Sequence, residues 1–228
     1  DAARLFAVLT EPSPDAPLAP RRRGIGGLAL GRLPRRDREG ASAEVLAAYD
    51  ESLRVLEGLG ARLVDVELPR RFSDMGTMTG RLIGAEGYSC VGELVDDPAA
   101  PVDDDVRPRI QLGRGVSAKD YLLLLREREE LKRQWNEALA NVDALLTPGT
   151  ASTAPRVEEI DQKGSAAIYT RAINLVDWCA LALPNGFSKD GLPISLQIAC
   201  PGHGEATALR IGWAFEQATT WHRRTPSL

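Results

Sequence analysis

Histidine is almost missing from this chain of 228 residues, which has two, His203 and His222. One lies in the turn-like run P-G-H-G and the other in the tail W-H-R-R, with no acidic cluster beside either. Two isolated imidazoles do not make a zinc site. H-E-x-x-H is absent, and so is the G-x-S-x-G elbow that would present a Ser-His-Asp nucleophile. Gly186–Gly191 has the wrong spacing for that elbow. It reads as a hairpin turn, with Ser188 a turn residue and Asp190-Gly191 supplying positive-φ positions. Cysteine is sparse too: Cys90, Cys179 and Cys200 are odd in number and lack ligand spacing. That excludes a disulfide framework and fits a reducing compartment. Cys179 and Cys200 sit in apolar runs and read as small buried hydrophobes. No run reaches the roughly 18 apolar residues of a membrane span, and no signal peptide is visible. The net charge of −4 does not support a nucleic-acid footprint. Of the 28 basic residues only Lys119, Lys132, Lys163 and Lys189 are lysines.

Cofactor motifs are equally thin. The G-x-G of Gly24–Leu30 falls inside a strand-like run and is followed by a long Arg-rich loop. A dinucleotide turn needs G-x-G-x-x-G where a helix opens. The acids from Asp96 to Asp105 have no EF-hand order and read as a solvated loop. No cofactor and no metal is expected.

The residues present describe an α/β body. Apolar residues make up 43% and charged ones 26%, as in ordinary soluble domains. Asp1–Leu9 reads as the end of a helix, with Leu5, Phe6 and Leu9 on one side, and Glu11–Pro20 as a proline-rich linker. Gly24–Leu30 reads as a strand. Ser42–Leu59 reads as a helix capped by Ser42, with Val45, Tyr49, Leu53 and Leu56 on its apolar face. Ala61–Leu68 follows as a second strand, parallel to the first. Phe72–Leu94 is a glycine-interrupted helix. Ser117 and Asp120 form a capping box opening the clearest helix, whose apolar stripe runs through Tyr121, Leu124, Leu125, Leu131, Trp135 and Leu139. Val142–Leu146, Cys179–Leu183 and Ile194–Ala199 read as buried strands. The Gly/Pro/Ser/Thr-rich segments Thr147–Pro155 and Pro184–Gly191 read as the loops beyond them, where ligands of open α/β sheets sit. A last helix runs from Glu205 to Thr219.

Several segments resemble one family in order. They are D-A-L-L-T-P (Asp143–Pro148), Y-T-R-A-I-N-L (Tyr169–Leu175), A-L-A-L-P-N-G-F (Ala180–Phe187), D-G-L-P-I-S-L-Q-I (Asp190–Ile198) and E-A-T-A-L-R-I-G (Glu205–Gly212). Upstream, Arg109–Tyr121 and Gly24–Pro69 fit the same series. Together they resemble the C-terminal portion of an amidase signature enzyme. The nearest flavour is the bacterial amidases that look like the glutaminase subunit of tRNA-dependent amidotransferases.

The resemblance implies a mixed β-sheet flanked by helices, the C-terminal half of an amidase signature fold, with residues 1–228 one partial domain. It implies hydrolysis of carboxylic amides to acid plus ammonia or amine. The family's chemistry uses a Ser nucleophile, a bridging Ser in a cis peptide and a neutral Lys. Those groups lie upstream of the part seen here. None of the four lysines stands in the family's Lys context and no Gly-Gly-Ser-rich segment is present. No catalytic residue is therefore carried over, and the chain alone is expected to be inactive. Thr150, Thr170 and Asn174 match the substrate-facing wall, and Asn174 also suits a helix-end backbone role. Tyr169 and Arg171 could face substrate, Arg171 suiting an anionic one. Asp177 replaces the family's Gly and Cys179 its Pro. The implied partners are a small-molecule amide, the absent N-terminal half of the same domain and, left open, a second copy in a homodimer, all in the cytoplasm. The rival readings are a non-catalytic binding remnant and part of the glutaminase component of an amidotransferase.

Overall fold

Two serine caps fix the ends of the main helices. In the computed structural model, which describes residues 2–10, 23–160 and 166–225, the Ser42 hydroxyl accepts from the Val45 amide at 3.3 Å and opens α2, Ala43–Gly58. Ser117 accepts from the Asp120 amide at 3.1 Å and donates to the Asp120 carboxylate at 2.6 Å. That box opens the helix Ala118–Ala138. Each cap satisfies one of the amide donors that a helix start leaves orphaned.

In chain order the elements are α1 (Ala2–Thr10), β1 (Ala29–Arg32), α2, β2 (Arg62–Asp65), α3 (Phe72–Asp96) and α4 (Arg107–Gln111). They continue as α5 (Ala118–Ala138), β3 (Ala144–Pro148), α6 (Ile168–Leu175), β4 (Cys179–Phe187), β5 (Pro193–Cys200) and α7 (Glu205–Ala218). The sheet runs β2-β1-β3-β5-β4. β1 is parallel to β2 and to β3, while β5 is antiparallel to β3 and β4. The fold is thus α/β with a mixed sheet. All five residues of β3 are buried, so both of its faces are covered. α2 packs on β3, β4 and β5 and touches α7, which also lies on β4 and β5. α3 packs on α4, α5 and α6.

Several boundaries differ from expectation: β2 covers only Arg62–Asp65 of the expected Ala61–Leu68, and β3 runs on through Thr147 and Pro148. Gly24–Leu30 is not one strand: Gly27 has φ +82°, its amide donates to Gly60 O at 2.9 Å, and pairing begins only at Ala29. Glycines without side chains to pack favour the turn. Pro184–Phe187, expected as loop, lies within β4, which pairs through to Phe187 with a register shift between Pro184 and Gly186. Proline is tolerated because β4 is the outermost strand and a bulge follows. In the β4–β5 turn only Gly191 has positive φ, +79°; Asp190 does not. The linker expected at Glu11–Pro20 lies outside the described residues.

Tyr49 of α2 ties the sheet together. Its buried hydroxyl accepts from Leu33 N at 2.8 Å and donates to Leu146 O at 3.0 Å, holding the ends of β1 and β3. The loop after β3 is pinned by Gly149 N to Ser195 O and by Ser42 N to Ala151 O, both at 2.8 Å.

Candidate substrate cleft

The loop after β3 carries Thr150, whose hydroxyl donates to Ser152 O at 2.7 Å. On α6 the Thr170 hydroxyl donates to Ala167 O at 3.3 Å, and Asn174 is exposed near the helix end. Both threonine protons are committed to local carbonyls, so toward a ligand these hydroxyls act only as acceptors. Tyr169 does not face a ligand. It is fully buried and donates to Asp37 O at 3.1 Å. The Asp37 carboxylate in turn accepts from Phe72 N at 2.9 Å, so α6 is locked onto the start of α3.

Arg171, one turn below Asn174, opens onto a cleft of about 620 Å³. Neither threonine nor Asn174 lines it. Its walls come from α3, from the stretch 109–116 and from α6. α3 contributes Gly80 and Gly84, where missing side chains leave the space. A glycine inside a helix costs roughly 0.5–1 kcal/mol relative to alanine, so this room is made at the expense of helix stability. At the floor α3 meets the 3-10 turn Leu112–Gly115 backbone to backbone: a Cβ on Gly113 would lie 2.0 Å from Gly84 O. Ile83 and Leu112, 57% and 74% exposed, give the cleft apolar walls. Arg81 and Arg109 join Arg171 at its lining. Both were missed in the sequence. The signal available was the spacing of Thr77, Gly80, Arg81 and Gly84, which puts small and cationic groups on one face of a helix.

Asp177 serves as a helix cap. Its φ of +56° makes it the left-handed residue after α6. Trp178 N donates to Ile173 O at 3.1 Å and Asp177 N to Asn174 O at 3.3 Å. This is a Schellman ending, normally a glycine's place. The Asp177 carboxylate pairs with Lys132 at 2.9 Å and with Arg128, and Arg128 also donates to Leu175 O at 2.8 Å. The Lys132 ammonium, with help from Arg128, holds the Asp177 carboxyl below the usual carboxylate range. A depressed carboxylate stabilises above its unfolded pKa and loses that contribution as pH falls through its folded one. Because the side chain is half exposed, Asp177→Asn should cost only about 0.5 kcal/mol at pH 7. That difference should vanish in acid, as read by urea midpoints across pH. Asp177→Gly relieves the backbone while losing the ion pairs and should come out near neutral.

Two of the three thiols are covered by the fold. Burial pushes Cys179 and Cys200 up from the usual thiol range, so neither is a ready thiolate. Ser188 accepts from Leu192 N at 3.1 Å within its turn. Among the described residues no group of His, Cys, Asp or Glu could hold a metal ion, and no helix is long and apolar enough to cross a membrane.

The family described as Amidase matches residues 10–209. A Glutamyl-tRNA(Gln) amidotransferase component from Trichlorobacter lovleyi is 30% identical, the whole chain aligning with 55% of that protein. An Amidase of Pseudomonas putida is 32% identical over 90% of this chain and 46% of its own length. A solved structure described as "Crystal structure of amidase" superposes with a TM-score of 0.74 at 26% identity, covering 86% of this chain and 46% of that one. The chain spans about half the length of the curated relatives it matches.

Proposed function

The chain belongs to the amidase family, and on that premise we propose that it supplies the substrate-binding wall of an amide hydrolase whose reacting groups lie outside these 228 residues. The reaction is hydrolysis of a carboxylic amide to acid plus ammonia or amine, by Ser-cisSer-Lys chemistry. Residues 1–228 form one partial domain in this reading, with its N-terminal half as partner and the cytoplasm as its location. α6 faces the substrate, with Thr150, Thr170 and Asn174 as positioning groups beside the cleft that Arg171 lines.

The observation that carries the reading is the family match over residues 10–209 in a chain about half as long as its relatives. Exposed apolar surface supports it. Leu5, Val8 and Leu9 of α1 are 61%, 76% and 73% exposed. Exposure of this kind on one helix suits a surface that packs against something else. A second reading, part of a multi-component amidotransferase, is favoured by the name that the Trichlorobacter lovleyi relative carries.

Purified alone, the 228 residues should release no ammonia from simple aliphatic or aromatic amides. Mixing with, or fusion to, an N-terminal amidase half should restore turnover. Hydrolysis by the chain alone would overturn the proposal.

A further inference from the structure

Two cysteines stand opposite each other at one end of the sheet. Cys179 opens β4 and Cys200 closes β5, and they are direct partners in the antiparallel register. Direct partners carry their side chains on the same face of a sheet. Their Cα atoms lie about 4.5–5.5 Å apart, inside the span of about 4.4–6.8 Å that a disulfide bridges. Both thiols are free. The Cys179 Sγ already lies against the backbone of its partner, donating to Cys200 O at 3.6 Å and to Pro201 O at 3.5 Å. Bringing the two sulfurs together needs rotation between side-chain rotamers and no shift of either strand.

Access to the two sulfurs is unequal. Cys200 is fully buried, whereas Cys179 is half-buried on the outermost strand. A small oxidant therefore meets Cys179 first, with Cys200 held behind it. The surroundings keep both groups protonated. Burial raises both thiols; Glu205 of α7 adds to this at Cys179, and Cys179 itself, Asp143 and Glu205 add to it at Cys200. Attack is by thiolate, so the pair reacts slowly at neutral pH and stays reduced until oxidant accumulates.

We propose that Cys179 and Cys200 form a redox site, which a hydroperoxide converts into a disulfide stapling β4 to β5. The Cys179 sulfur attacks a peroxide oxygen, the O–O bond breaks, and the displaced hydroxide leaves as water with the thiol's proton. Cys179 is then a sulfenic acid. The Cys200 sulfur attacks the Cys179 sulfur, the S–O bond breaks, and a second water leaves with the Cys200 proton. The pair has lost two electrons and two protons, and hydrogen peroxide has become two waters. A dithiol reductant reverses the bond by exchange. The staple acts beyond the two strands. Asp177, the cap of α6, lies just before Cys179, and the turn after Cys200 packs on it: a Cβ on Gly202 would come within 3.0 Å of Asp177 O. Oxidation thus fastens the end of α6, the start of β4 and the entry to α7 together. The site is independent of the amide-hydrolase reading.

The test uses the Cys90→Ser chain, because Cys90 is exposed and would react on its own account. Hydrogen peroxide added to the folded protein should remove two hydrogen atoms by intact mass, and a non-reduced digest should contain a peptide linked through Cys179 and Cys200. The oxidised protein should melt about 5–10 °C higher, as for a cross-link that closes a short loop. Dithiothreitol should reverse both changes. The initial rate should rise about tenfold from pH 7 to pH 8, since only thiolate attacks. Cys200→Ser should leave Cys179 as a sulfenic acid that dimedone traps, and Cys179→Ser should leave Cys200 unmodified. Oxidation of the two sulfurs with no linked peptide, a cross-link only between chains, a linked peptide formed only in denaturing urea, or a Tm unchanged by the link overturns the proposal.

Discussion

Trp135→Ala should destabilise the chain by about 3–5 kcal/mol, the range for emptying a large aromatic site in a packed core. Trp135 is fully buried on α5. Its ring meets Phe72 edge-on at 6.0 Å and Trp178 edge-on at 6.0 Å. Phe72 passes the contact to Tyr169 of α6 at 5.6 Å. One ring thus joins α5, the start of α3 and the end of α6. Against a typical total of about 5–15 kcal/mol, the loss is a large fraction. Trp135→Phe is the informative companion. The Trp135 Nε1 is buried and has no hydrogen-bond partner among the described residues. Phenylalanine gives up that unmade bond, which offsets part of the lost volume. The phenylalanine variant should therefore cost only about 1–2 kcal/mol. Urea unfolding followed by circular dichroism reads both. Equal costs for the two variants would show that the indole N–H matters more than its surroundings imply. Because Tyr169 anchors α6, the alanine variant should also loosen Arg171 at the cleft.

Local chemistry wrote much of this fold into the sequence. Ser42 and Ser117 announce the starts of α2 and α5 because few residues can satisfy a helix's first amides. Of the stripe Tyr121, Leu124, Leu125, Leu131, Trp135 and Leu139, the last two with Leu124 and Leu131 are buried, while Tyr121 and Leu125 are half-buried. Val142–Leu146 anticipates β3 only in part, since its apolar stretch Ala144–Leu146 fits a buried strand while Asp143 lies outside it. The misses have physical causes. Gly24–Leu30 read as strand because the sequence does not show that Gly27 must bend toward Gly60. Pro184 read as a break because only the sheet order reveals that β4 is an edge strand. Asp177, for which pocket tuning and turn capping stood as alternatives, is a cap, and its ion pairs come from Lys132 and Arg128 on a distant helix.

The candidate site was the least legible part. Arg171 could be singled out because it sits among residues that resemble a known wall. Arg81 and Arg109 look like ordinary surface arginines in a chain full of them. What gathers them is the crossing of α3 with the turn after α4, and that crossing is encoded in two glycines far apart in sequence. No local periodicity reports such a contact.

Gly113→Ala tests that crossing directly. On intrinsic preference alone, alanine in a helical turn should be the better residue by roughly 0.5–1 kcal/mol. The packing argues the opposite and more strongly. The added Cβ would lie 2.0 Å from Gly84 O, 2.5 Å from Gly84 C and 2.7 Å from Tyr88 Cβ. Two of these are backbone atoms inside α3, so no side-chain rotation relieves the clash. The turn must lift from the helix, carrying Arg109 and Leu112 with it. A net loss of about 1–3 kcal/mol or more is expected, the cost of forcing atoms into a filled contact. Two neighbours supply the contrast. A Cβ on Gly115 meets nothing within 4 Å, and one on Gly84 meets Arg109 O only at 3.6 Å, ordinary contact. Gly115→Ala should stay within about 0.5 kcal/mol of the parent. Gly84→Ala should be tolerated in stability while narrowing the cleft. A Gly113→Ala protein as stable as the Gly115→Ala protein would mean that the close crossing is not what shapes the site.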